Sequence, residues 1–152
     1  MTEREVLQIV TGCIGSLGFG ILFNVRGARL VVASLGGLLS WLLFLLLGRL
    51  IESEAVNYLI VSLLLTLYAE TMARVMKTPT TTFITASLIP LIPGGSLYYT
   101  MAYAFQNDGT RFVQKAVYTL ELAAALAIGV IAATALAKLM VNCQKLLQPN
   151  TK

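Results

Sequence analysis

Histidine is absent from this chain of 152 residues, cysteine occurs twice, tryptophan once, and charged side chains make up only 12%. Each scarcity closes a class of chemistry. Without imidazole there is no histidine general base, no His-ligated metal and no Ser-His-Asp arrangement. Cys13 lies in an early apolar run and Cys143 near the C-terminus, with no ligand spacing around either, so neither a disulfide nor a metal site follows. No carboxylates pair at a useful spacing, and an intramembrane enzyme would need an unusual serine or threonine nucleophile beside Lys or Glu. The chain reads as no enzyme. No nucleotide-binding motif is present either, so no cofactor is expected.

What the chain has instead is apolar surface. Hydrophobic residues make up 57% of it, and the mean hydropathy is +0.81. A soluble domain of this length has too little interior to hide that much. The expectation is an all-α integral membrane protein, one domain over residues 1–152. The formal charge of +4 sits at span ends and in short loops, which argues against nucleic acid as a partner and for a lipid bilayer. Glu3 and Glu5 dilute a positive start, so the first apolar run is expected to stay as a span and not to be a cleaved signal.

A helix needs roughly 17–25 residues to cross about 30 Å of hydrocarbon. Five stretches qualify: Val6–Val25, Leu30–Leu47, Val56–Met76, Thr82–Phe105 and Val117–Val141. Arg26, Arg29, Arg74, Lys77, Lys138, Lys145 and Lys152 fall on one side, against Arg4, Arg49, Arg111 and Lys115 on the other. That imbalance predicts a cytoplasmic C-terminus. A re-entrant fourth segment would leave four crossings.

The fourth stretch is the most informative. Pro90, Pro93, Gly94 and Gly95 interrupt it near its middle. Proline removes a backbone donor and clashes with the preceding turn, and glycine loosens the chain. Released backbone groups in hydrocarbon cost several kcal/mol each, so such breaks persist where protein, water or solute satisfies them. A break at midplane depth predicts a solute pathway. A helix restarting after it would aim free N–H groups and a positive dipole end at a carboxylate. Tyr98 lies one turn beyond.

The charged residues offer paired alternatives. Glu70 follows a wholly apolar run, with Arg74 at i+4 and Lys77 a turn later. They form either an interfacial salt bridge with snorkelling stems or a charged lining for solute or a coupling proton. Glu121, one turn into the last predicted span, suits the helix dipole or the pathway. Asn24 caps the first span or lines its mouth. Small residues (Gly12, Ser16 and Gly20, with Gly15 and Gly18 between; then Ala123, Ala124, Ala127, Gly129, Ala132 and Ala133) predict close helix packing and a possible higher oligomer.

Three segments carry a resemblance. Gly18-Phe-Gly-Ile-Leu-Phe-Asn-Val25, Ala69-Glu-Thr-Met-Ala-Arg74 with Lys77-Thr-Pro79, and Ile89-Pro-Leu-Ile-Pro-Gly94 resemble the threonine/serine exporter family, its small YjjB-like membrane subunit in particular. The first turn departs from the pattern, reading Asn24-Val-Arg-Gly27 where relatives often have proline after Val. The resemblance implies export of threonine and serine, or of dicarboxylates such as succinate, across a bacterial inner membrane. It also implies a larger YjjP-like membrane subunit carrying the other half. Two five-span halves in sequence would be oppositely oriented, an inverted repeat.

Overall fold

The computed structural model describes residues 2–147, with side chains as far as Met140; Cys143, Lys145 and Lys152 lie outside the described side chains. Among the described residues the secondary structure is entirely helical. The helices are α1 (Glu3–Leu22), α2 (Ala28–Leu47), α3 (Glu54–Val75), α4 (Thr80–Leu88), α5 (Gly94–Phe105) and α6 (Gly109–Leu147), with a 3-10 turn at Ile89–Leu91 between α4 and α5. α1, α2, α3 and residues Gly109–Met140 of α6 are each long and apolar enough to cross a membrane.

Local chemistry explains the ends. Thr2 N–H donates to Glu5 Oε2 at 2.9 Å, half of a capping box that starts α1. α1, α3 and α5 each stop the same way, at Asn24, Lys77 and Asn107, whose φ values are 58°, 49° and 57°. The residue after each donates back five positions, Val25 to Gly20, Thr78 to Ala73 and Asp108 to Tyr103, closing three Schellman motifs.

Pairing fixes the layout. α1 and α2 are antiparallel, with Arg49 on Glu5 at 2.8 Å at one end and Gly20 against Leu30 at the other. Tyr118 of α6 donates to Glu54 in the first turn of α3, and Arg74 in its last turn donates to Ala137 O at 3.1 Å. α3 and α6 therefore run parallel, and α4 and α5 together carry the chain back along the bundle between them. Glu5, Arg49, Glu52 and Glu54 gather at what we term the acidic end. Arg26, Arg29, Arg74 and Lys77 gather at the basic end.

Lipid tails are as apolar as leucine, so helix association in a membrane depends on close packing more than on hydrophobic drive. The core follows that rule. Ser16, Gly36, Gly37, Ser40, Ser62, Ser87, Gly129 and Ala133 are all buried. Of the small residues singled out in α1, Ser16 and Gly20 are buried and Gly12 lies near α2, while a Cβ on Gly15 or Gly18 would meet nothing within 4 Å. In α6, Gly129 and Ala133 are buried, Ala132 is half-buried, and Ala123, Ala124 and Ala127 face outward.

One boundary departs from the sequence expectation. α6 starts at Gly109 and not near Val117, so Glu121 lies roughly three turns inside the helix and its first-turn dipole role does not hold. The extra turns are polar on their exposed side, which is why hydropathy missed them. The break lies level with the middle of α1, where a Cβ on Gly12 would lie 3.7 Å from Pro90. Leu88 and Leu91 pack with Tyr58, Val61, Leu65 and Leu122 toward the acidic end, whereas Phe83 and Ala86 pack with Ala33, Ala69 and Ala73 toward the basic end.

α5 packs mainly on α6, through a knot of hydroxyls. Ser96 Oγ is 2.9 Å and Thr100 Oγ1 is 3.2 Å from Thr119 Oγ1, which itself donates to Lys115 O at 2.7 Å. Interhelical hydrogen bonds of this kind are worth about 0.6 kcal/mol in membranes. Thr119→Val is expected to lower stability by about that much and to speed amide exchange in α5 before any other helix. Uniform exchange across the bundle would assign the knot no local role.

Candidate functional site

The break is built by its prolines. Neither Pro90 nor Pro93 has an N–H, so α4 cannot continue past Leu88 and tightens into the 3-10 turn, where Ile92 N–H reaches Ile89 O at 3.2 Å. Pro93 then takes φ −73° and ψ 56°, and Gly94 N–H bonds Ile92 O at 2.6 Å. That is an inverse γ-turn. α5 restarts at once, and its first N–H groups have no preceding turn to bond. Gly94 and Gly95 are exposed, and a Cβ on either would meet nothing within 4 Å.

Pro90 and Ile89 form one wall of an open groove of about 260 Å3, with Gln8, Thr11, Gly12 and Gly15 of α1 and Trp41 of α2 opposite. Trp41 Nε1 donates to Gln8 Oε1 at 3.4 Å, and Thr11 donates to the carbonyls of Leu7 and Gln8. The groove is largely apolar with a polar lip. Tyr98 stands away from it, 69% exposed and stacked edge-on against Tyr99.

Glu70 and Arg74 form an ion pair of 3.5 Å at the basic end, the acid side chain 17% and the arginine 46% exposed. Because Arg74 also donates to Ala137 O, the pair ties α3 to α6. Lys77, expected on the same face, instead occupies the left-handed position that ends α3. Asn24 is a corner residue: it closes α1 and accepts from Arg26 Nε at 2.9 Å. It borders a cavity of about 280 Å3 with Arg26, Arg29, Thr78 and Pro79.

The expected pathway residues are thus not one cluster. Pro90, with Pro93 just after it, sits level with the middle of α1; Glu70, Arg74 and Asn24 sit at the basic end. Gly94, Gly95, Tyr98 and Glu121 face outward. A third cluster escaped sequence reasoning: Glu5, Arg49, Glu52, Glu54 and Asn57 around an open cavity of about 370 Å3 at the acidic end. Four of its members fall between Arg49 and Asn57, where α2 passes into α3, and Glu5 joins them from the start of α1. Asn57, a turn after Glu54 on an apolar helix, was the one signal available. Among the described residues no three acidic or thiol ligands close on one point to hold a metal ion.

A sequence model for the family described as "Threonine/Serine exporter, ThrE" matches residues 8–136, which covers the break, Glu70, Arg74 and nearly all of the bundle. The chain belongs to the threonine/serine exporter family. No curated protein and no solved structure matches it. Membership of this exporter family agrees with the apolar helices: this is a multi-pass membrane transport protein.

Proposed function

We propose that the chain is one half of a two-component secondary exporter in a bacterial inner membrane, moving threonine and serine or small dicarboxylates out of the cell. The larger partner, a YjjP-like membrane subunit, supplies the other half. The observation that carries this reading is the interrupted return of the chain along the bundle beside an open groove. Membrane-depth backbone leaves regular helix where it borders a cavity or protein, and transporters place solute at such breaks. α4 and α5 together form the fourth of five crossings, which orients the two halves oppositely. The basic end, with Arg26, Arg29, Arg74 and Lys77, faces the cytoplasm.

Glu70 and Arg74 stand at that cytoplasmic end as the gating or coupling pair, and a proton or solute gradient drives the cycle. The test is efflux of labelled threonine, serine and succinate from loaded cells carrying this chain, its partner, or both. Efflux is expected only with both. Equal efflux from the partner alone would make this chain a structural or assembly subunit, its glycine seams serving packing.

A further inference from the structure

We infer that the basic end holds a site for one anionic phospholipid, its phosphodiester in the cavity of Arg26 and Arg29 and an acyl chain in the groove that runs on from it along α4. This goes beyond the exporter reading and does not depend on which solute moves. The charge balance comes first. Among the described residues Glu70 is the one acid at the basic end, and Arg74 holds it at 3.5 Å. Neither Arg26 nor Arg29 takes part in any ion pair among the described residues. Both line the cavity of about 280 Å3, which no carboxylate borders. The helices that begin at its rim, α2 and α4, carry no acidic residue in their first turns. Arg26 is also held in place. Its Nε donates to Asn24 Oδ1 at 2.9 Å, which leaves Nη1 and Nη2 as a complete two-pronged edge. Such an edge matches two oxygens of a phosphate.

The shape says which anion. A second cavity, of about 250 Å3, shares Phe23, Val25 and Thr82 with the first and extends to Thr81 and Thr85. The two make one groove between the α1–α2 corner and α4, running from the surface toward the break. Its character changes along the way, from guanidinium groups to an aromatic ring and threonine side chains. Thr85 already gives its hydroxyl to Thr81 O at 2.7 Å, so it asks nothing polar of an occupant. A small soluble anion would use the arginine cavity alone, whereas a phospholipid has the two-part chemistry of the whole groove. Basic pockets between membrane helices take lipid head groups in this way. The bound lipid ties the α1–α2 corner to α4, the first half of the interrupted crossing.

The experiment is native mass spectrometry of the full-length chain, purified with any subunit that accompanies it and titrated with phosphatidylglycerol or phosphatidylcholine. Phosphatidylglycerol is expected to bind the more tightly. A basic residue near a membrane surface contributes about fivefold to the affinity for anionic lipid. Arg26→Gln and Arg29→Gln are each expected to weaken phosphatidylglycerol binding by about that factor, and the double variant by about thirtyfold. Lys77→Gln changes the same end outside the cavity and is expected to stay within about twofold of wild type, since salt screens a charge that does not touch the lipid. Thr85→Phe fills the groove and is expected to weaken phosphatidylglycerol binding too. All four positions are exposed, so the fold survives each change. The site is overturned if the two lipids bind alike or the double variant binds like wild type. It is overturned equally if Lys77→Gln costs as much as either arginine, which would mean diffuse attraction to the whole end. Displacement of the lipid by millimolar glycerol 3-phosphate, with Thr85→Phe unaffected, would give the cavity to a free phosphate and remove the lipid.

Discussion

Gly129→Ala is expected to destabilise the bundle by about 1–3 kcal/mol, the range of a core forced to accept an extra carbon. A Cβ there would lie 2.0 Å from Ser62 Oγ, 2.5 Å from Leu59 O and 3.2 Å from Leu63 N. The serine hydroxyl can rotate away, but the two backbone atoms cannot, so α6 must move off α3. That movement pulls on the contacts between Tyr118 and Glu54 and between Arg74 and Ala137 at either end of the pair. Gly15→Ala is the control, since nothing lies within 4 Å of its Cβ. On helix propensity alone that change gains about 0.5–1 kcal/mol. Thermal unfolding in detergent checks both; equal midpoints would mean that α3 and α6 do not meet at Gly129.

The same geometry shows what the sequence could and could not reveal. Pro90 and Pro93 announce the break because a missing donor is a property of the residue, whatever surrounds it. The apolar runs announce α1 to α3 for a similar reason: bilayer thickness sets their length. The start of α6 was hidden because Thr110, Arg111 and Gln114 are exposed on a helix that begins before the start of α3, where hydropathy carries no helical signal. The depth of the break follows from counting residues, and Pro90 does pack beside Gly12 at the middle of α1. The side chains that close around it were hidden, because Leu88 and Leu91 join Tyr58 and Leu122 in one cluster only after folding.

Side-chain partnerships were legible only when local. The Glu70–Arg74 pair follows from i,i+4 spacing, and it forms. Arg49 with Glu5 joins residues 44 apart, and Tyr118 with Glu54 residues 64 apart; no periodicity encodes such pairs. Asn24 shows the intermediate case. Its role as a helix terminator follows from the tolerance of asparagine for the left-handed region, which is a local property. Its contact with Arg26 adds a second tie across the same corner.

Glu70→Gln is expected to abolish export while leaving the protein inserted and folded. Stability changes little because the partner is accessible: with Arg74 46% exposed, solvent screens the pair, and such pairs contribute about 0–1 kcal/mol. Glutamine keeps the shape and an acceptor for Arg74 but loses the charge and the titratable proton. Arg74 also holds Ala137 O, so neutralising Glu70 changes the balance between a partner within α3 and one on α6. A gate at the cytoplasmic mouth that opens and closes by exchanging those partners would stop with one of them removed. Glu70→Asp, which restores charge on a shorter stem, is then expected to recover part of the export that Glu70→Gln loses. Measuring efflux and melting temperature on the same three proteins separates the roles. Full export by Glu70→Gln would reduce the pair to an interfacial brace, and a collapse in melting temperature would assign it to the fold.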